Sequence, residues 1–572
     1  MKWILTYLKP LRSRITAGIA VKVVGTLAEL MIPFLLSHIL DNVIASNDIG
    51  KIISYGSLMA VCALIACLGN IIANRMAART TMLFSTRMRR DLFSKTLHLS
   101  ARSTDRFTIP SLESRITSDT YNVQNFIGMI QRMGIRAPIL LVGGTAITMV
   151  MDPKLALVMV ATMPLIFAVV YSVSRRGVPL YTKVQQSVDG MVRVVREDAQ
   201  GIRVIKALSK INYENARYDR ANLDLRKNET RAGVIMGIAN PVMTLLMNAG
   251  IVGVIAVSAH FVATNRSSSA TVIAFMQYFT LISMSLMALS RMFVMYTKCA
   301  ASAKRICQVM DEVSELQHCD DDGKGDTSVH ISFENVNFSY LGKSNNLTNI
   351  SFSLKRGETL GIIGATGSGK STILRLLMRF YDADSGMIRI NGKSIQSYTP
   401  DELTAMFGVV FQNDFLYADS IEENIRFGRE IGSDDVVKAA KIAQAHDFIT
   451  SFSDGYAHKV SAGGTNLSGG QRQRVLISRA IAGAPDILVL DDSSSALDYK
   501  TDASLRQALS SALPNSTVIT VAQRVSSVKN CDLILVIENG VIIGSGRHEE
   551  LLQTCAEYKE ISDSQMGGAF LE

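Results

Sequence analysis

The first half of the chain alternates between stretches that carry no charge and stretches crowded with it. Residues 52–74, 155–174, 232–265 and 267–290 contain no Asp, Glu, Lys or Arg. A helix needs only about 20 apolar residues to cross a bilayer, so each is long enough to span one. Two further stretches are apolar with exceptions. Residues 15–40 carry only Lys22 and Glu29, seven positions apart and therefore on nearly one helix face. Residues 127–151 carry Arg132 and Arg136 near their start. The pattern predicts six membrane helices at about 15–40, 52–74, 127–151, 155–174, 232–263 and 268–290, an all-α membrane domain filling residues 1–310. Arg12 and Arg14 precede the first span, and the long segments 75–131 and 175–231 are basic. The connections at 41–51, 152–154 and 264–269 are short. Positive charge concentrates on the cytoplasmic side of membrane proteins, which puts the N-terminus and both long segments inside. Those segments read as helices continuing past the membrane, turning near 103–110 and 209–213 some tens of Å below it at about 1.5 Å per residue.

After residue 310 the texture changes. A linker at 311–327 includes the run Asp320, Asp321, Asp322. Residues 330–340 alternate apolar and polar like a strand, and 358–363 form a short buried strand running into glycines. Residues 328–556 read as a soluble α/β domain, and the tail 557–572 carries no signal. Composition agrees with a split molecule. Of 572 residues, 48% are hydrophobic but only 19% charged, with a mean hydropathy of +0.21, against about 25% charged in soluble chains. An ordinary soluble enzyme and a disordered chain are both excluded. The net charge of +9 and pI near 9.1 follow from basic cytoplasmic loops and call for no nucleic acid. Seven scattered cysteines without a C-x-x-C pair read as reduced structural thiols. The opening residues do not read as a cleavable leader, and the expectation is that the first span serves as its own insertion signal.

The second half carries the chemistry. Gly364, Ala365, Thr366, Gly367, Ser368, Gly369, Lys370 and Ser371 fit G-x-x-x-x-G-K-[ST] between an apolar strand and a helical run opening at Thr372. Such glycines let backbone N–H groups wrap phosphate oxygens at a helix N-terminus. Lys370 would reach the β- and γ-phosphates and Ser371 would ligate Mg²⁺. Four apolar residues ending in Asp491 form a buried strand whose carboxylate can hold the magnesium shell. Asp491 follows Lys370 by 121 residues and comes after Leu467, Ser468, Gly469, Gly470 and Gln471.

The order of Tyr340, the phosphate loop, Gln412, the LSGGQ element, Asp491 and the run from Ser495 to Asp498 resembles the ATP-binding cassette (ABC) family. Six spans before one cassette resemble its type IV exporter halves, and the resemblance covers essentially the whole chain. It implies that Tyr340 stacks on adenine, and that Gln412 touches Mg²⁺ and the attacking water while sensing the membrane half. It further implies that Ser468, Gly469 and Gly470 close over ATP held by an opposing cassette, with Asp498 at the interface. The turns near 103–110 and 209–213 resemble coupling helices.

Two positions depart from that pattern. Asp492 stands after Asp491 where active cassettes carry Glu, and Gln523 stands where they carry a switch His. Asp is one methylene shorter than Glu, and Gln cannot accept a proton or become a cation at neutral pH. Together they read as a degenerate ATP site, resembling the degenerate-site subunit of heterodimeric bacterial multidrug exporters. The expectation is an ATPase half-transporter in a bacterial cell membrane, working with a second half, ATP and Mg²⁺ to export amphipathic small molecules. Lipid, peptide or siderophore cargo, or an ATP-gated sensor, are the alternatives. Within the membrane, Lys22 and Glu29 could pair with each other or line a cavity with Arg136. The favoured expectation is that Lys22 and Arg136 snorkel to the cytoplasmic edge, leaving the deeper Glu29 as the better cavity residue for cationic cargo. The pliable methionines of the last two spans, among them Met236, Met243, Met247, Met276, Met284, Met287, Met292 and Met295, read first as packing and second as a promiscuous wall.

Overall fold

The computed structural model describes residues 2–44, 48–263, 269–313, 316, 319, 326, 328–340, 342 and 345–566. Most of the linker with its aspartate run, the outer-loop residues 264–268 and the end of the tail from 567 lie outside these. The chain divides into two compact units: residues 1–99 with 107–312, and residues 100–106 with 313–572.

Among the described residues the first unit is helical with short connections, and the described part of each charge-free stretch lies almost wholly in helix. Arg12–His38 carries the first, Ile49–Leu97 the second, and Thr120–Met129 with Arg136–Met151 the third. Pro153–Ala207 carries the fourth, Ile211–Gly237 with Ala239–Ala263 the fifth, and Ser269–Met310 the sixth. Five helical segments are long and apolar enough to cross a membrane. The fourth contributes a shorter apolar stretch, Pro153–Val169, at the start of a 55-residue helix. Asp48 and Asp152 cap the helices after the short connections, each accepting two backbone N–H bonds, and so satisfy donors that a helix start leaves open. Small residues let the first two helices approach: a Cβ on Gly69 would sit 3.0 Å from Gly25 Cα. Short π-helical turns interrupt the third span at Ile130–Gly134 and the helical segment before it at Arg115–Asp119. An ion pair between Arg305 and the buried Asp119 ties that segment to the last helix.

The charges inside this unit differ from the expectation. Lys22 does not snorkel; it is 3% exposed, and its ammonium donates to Asn70 Oδ1 at 2.7 Å and Asn74 Oδ1 at 3.2 Å. Two amides on the neighbouring helix give it hydrogen bonds without a long reach to water. Arg136 does not snorkel either. It forms a fork on Glu29, Nη2 to Oε1 at 2.5 Å and Nε to Oε2 at 3.2 Å, the pairing a carboxylate at membrane depth demands.

The second unit is α/β. Its main sheet has the order β10-β9-β3-β8-β7-β6, with β3 (Thr359–Gly364), β6 (Phe407–Val410), β7 (Ile487–Asp491), β8 (Thr517–Val521) and β9 (Leu533–Glu538) parallel and β10 (Val541–Gly546) antiparallel at one edge. A four-stranded antiparallel sheet, β2-β1-β4-β5, is formed by β1 (Ile331–Phe338), β2 (Leu347–Leu354), β4 (Ser385–Ile390) and β5 (Lys393–Ser394). The helix Lys370–Leu377 packs between the sheets, burying Ile373, Leu374, Leu376 and Leu377 in one core. Strand β7 is buried along its full length, as parallel strands covered on both faces are. A second core holds the helix Gly469–Ile481 against β7 and the neighbouring helices. Residues 100–106 belong to this unit, where Asp105 accepts a 2.5 Å hydrogen bond from Tyr381.

Candidate functional site

Parallel strands end at one edge of the main sheet, and ligands of open α/β sheets bind outside those carboxyl ends. Here β3 runs into the phosphate loop, β7 ends in Asp491, β8 leads to Gln523 and β6 leads to Gln412. A cavity of about 270 Å³ lies among them, lined by Tyr340, Thr366, Gly367, Gly369, Lys370, Ser371, Thr372, Gln412, Asp491, Asp492 and Gln523, together with Asn346, Val521 and Ala522. Residues 183 positions apart in sequence at the extremes, Tyr340 and Gln523, thus face one space because the strand order interleaves distant segments.

The phosphate loop can only be built from these residue types. Gly364 has φ 156°, and a Cβ there would stand 2.1 Å from Ile537 O. Gly367 and Gly369 take φ 84° and 103°, left-handed conformations that glycine adopts freely. The loop closes with Ser368 N donating to Ala365 O, and Ser368 Oγ is buried without a hydrogen-bond partner. The helix Lys370–Leu377 points its N-terminus at the cavity, a place that favours anions. Lys370 is 9% exposed and its ammonium donates to the carbonyls of Gly364 and Ala365 at 2.9 and 2.7 Å. Burial lowers its pKa, and Asp491 and Asp492 oppose that.

Ser371 Oγ donates to Asp491 Oδ1 at 3.3 Å. Burial pushes the Asp491 carboxyl above its ordinary pKa, with the Ser371 bond pulling the other way. Burial raises Asp492 as well, against Lys370, Arg524 and a hydrogen bond from Gln412. Asp492 sits at φ 51°, a left-handed conformation for which Asp is among the better non-glycine choices. Among the described residues no cluster of three His, Cys, Asp or Glu could hold a metal. One carboxylate, a hydroxyl and an amide still make a hard-oxygen set that suits Mg²⁺, which takes its other ligands from phosphate and water. The loop, the helix terminus and these donors fit Mg-ATP.

Tyr340 forms one wall. Its hydroxyl donates to Thr372 Oγ1 at 3.3 Å and accepts from Arg375 Nη1 at 3.1 Å, and its ring stands edge-on to Phe338 and Tyr381. The LSGGQ residues are not in this cavity. Ser468 caps Gly469–Ile481 with Gln471 in a reciprocal capping box, Leu467 packs on the helical core, and Gly469 and Gly470 lie against Ala496. The turn ends at Asp498, which caps Tyr499–Ala512. Sequence reasoning missed Asn346 on the wall and Gln565 behind it. Gln565 Nε2 donates to Gln523 O at 2.8 Å and its Oε1 accepts from Val525 N at 2.8 Å. Neither residue belongs to a motif, and Gln565 lies in the tail that reads as featureless.

Comparison with known proteins agrees with this geometry. The family model for the ABC transporter transmembrane region matches residues 15–286, and that for the ABC transporter domain matches residues 347–495. The chain is 34% identical to an uncharacterized ABC transporter ATP-binding protein, YfiB of Bacillus subtilis, over 99% of both chains. It is 31% identical to another, MT1311 of Mycobacterium tuberculosis, over 98% of this chain and 97% of that one. Among solved structures, a bacterial Atm1-family ABC exporter with ATP bound matches with a TM-score of 0.82 at 23% identity, over 96% of this chain and 98% of that chain, a likeness of fold.

Proposed function

Because the chain belongs to the ABC transporter family, in which ATP hydrolysis is coupled to transport across a membrane, we propose that it is one half of a heterodimeric exporter of amphipathic small molecules. It spans the membrane several times, and on this reading its N-terminus and cassette, residues 328–556, face the cytoplasm. The membrane domain is residues 1–310, joined through the linker 311–327.

The roles follow from the cavity. The glycine-rich loop and Lys370 bind the phosphates, Tyr340 meets the adenine, and Ser371, Asp491 and Gln412 hold Mg²⁺. When bound, that ion neutralises charge on the phosphates. Gln412 and Asp492 hold the position where water must be oriented, and Gln523 stands across from them. The observation that carries the heterodimer is the lining itself: among the described residues it contains neither a glutamate nor a histidine. Without a base of the usual reach this site binds ATP and turns it over slowly. The exposed Ser468 and Gly469 and the half-buried Gly470 complete a second, hydrolytic site on a partner cassette.

The test is turnover of the purified chain alone and with a co-expressed second half. Turnover of the complex well above that of the single chain is expected. Robust hydrolysis by the chain alone would sink the heterodimeric reading.

A further inference from the structure

The membrane unit has more positive charge than it can pair. Lys22, Arg132 and Arg136 lie in the expected spans, Arg291 follows the last of them, and Glu29 is the only acid in those spans. Arg136 takes both carboxylate oxygens of Glu29, so Glu29 has no charge left to offer a cationic cargo. Lys22 is buried among neutral amides. Arg132 donates only to the carbonyl of Gly128. Arg291 makes no hydrogen bond or ion pair among the described residues.

Two of these cations meet in one place. A cavity of about 290 Å³ opens between the third and sixth spans, and Arg136 and Arg291 line it beside Met133, Leu140, Met284 and Met287. No acid lines it, and Met133 belongs to the π-helical turn Ile130–Gly134. On the topology read from the sequence, Arg136 begins the outward run of one span and Arg291 ends the inward run of the other, which puts the cavity in the cytoplasmic half. Arg136 is offset by Glu29, but Arg291 has no carboxylate partner among the described residues. An uncompensated cation is costly at membrane depth, and an anion entering here offsets that cost. Methionines make an apolar wall that adapts to shape. The cavity is at the small end of the range for drug-sized ligands, about 300–1,000 Å³, as a site completed by a second half would be.

We propose that this cavity receives an amphipathic organic anion, its carboxylate, sulfonate or phosphate held by Arg291 and by the Nη1 group of Arg136 that the Glu29 fork does not use, and its apolar body by the methionines. The inference rests on the export reading and gives that transporter its cargo class, reversing the cationic cargo expected from Glu29. The headgroup of an anionic inner-leaflet lipid shares the same chemistry as a soluble amphipathic anion.

The test uses the complex of this chain with its second half in phosphatidylcholine nanodiscs. Two probes carry one fluorophore and opposite charge, dansylglycine and dansylcadaverine, and binding is read by anisotropy. Dansylglycine should bind about tenfold tighter or more, since hydrogen bonds to charged groups are the strong ones. Arg291→Gln should lose that preference, Arg291→Lys should keep most of it, and Arg291→Glu should turn it toward dansylcadaverine. ATP affinity should stay unchanged in all three, which shows that they fold. Equal binding of the two probes, or no effect of Arg291→Gln, overturns the proposal. Loss of dansylglycine binding in phosphatidylglycerol nanodiscs identifies the anion as a lipid headgroup; retained binding identifies a soluble amphiphile. ATP-driven uptake into inside-out vesicles is scored separately, so binding without uptake refutes export and leaves the anion site standing.

Discussion

At the scale of single residues, contiguous motifs were readable and their surroundings were not. Lys370 is fixed by its spacing from the glycines, and the structure places it where the loop spacing demands. Lys370→Ala should weaken ATP binding by about 2 kcal/mol, more than tenfold in Kd, with or without metal, because it removes a cation from the phosphates. Asp491 makes a sharper test. Its carboxylate bonds Ser371 and faces the cavity, and Asn keeps that bond while removing the charge. Asp491→Asn should raise the Kd of Mg-ATP about tenfold and leave the Kd in EDTA unchanged, both by titration calorimetry. Equal loss in both buffers would mean that Asp491 holds the loop and not the ion. The fate of Lys22 was illegible for a physical reason. Snorkelling and burial place a lysine at the same sequence position, and only Asn70 and Asn74, 48 and 52 residues away, decide between them. The left-handed backbone of Asp492 was equally invisible.

At the scale of elements, hydrophobic pattern carried most of the reading. Charge-free runs became helices, and the alternation at 330–340 became β1, including a bulge near Asn335 at φ 50° that the alternation does not show. Packing between elements depended on small residues that pattern alone ignores. Gly25 and Gly69 bring the first two helices close enough for Lys22 to reach its amides. A methyl on Gly69 would meet Gly25 Cα at 3.0 Å and must push the helices apart. Gly69→Ala should therefore destabilise the membrane unit by about 1–3 kcal/mol, the usual cost of overpacking. A melting temperature several degrees lower in detergent would show it, and an unchanged one would mean that the helices separate freely. The loop holding Gln523 is tied in the same way to Gln565, a contact across 42 residues that no local pattern foretells.

At the scale of the whole molecule, the proposed heterodimer joins the phosphate loop of one cassette to the signature of another, so on that reading this chain would serve two sites unequally. Its own cavity holds Lys370, Asp491, Asp492 and Gln523, while its signature does not line that cavity. On the heterodimeric reading, Ser468→Ala should abolish most turnover of the complex, whereas Asp492→Ala should cost little. Ser468 also caps its helix through Gln471, and losing a cap alone costs about 1 kcal/mol. Ser468→Asp separates the two effects, because Asp caps as well as Ser but sets a negative charge against the phosphates. Both Ser468 variants should lose turnover while the complex stays assembled on a sizing column. Normal turnover in Ser468→Asp would reduce Ser468 to a cap. A large loss from Asp492→Ala would show instead that this chain's own cavity carries the hydrolysis.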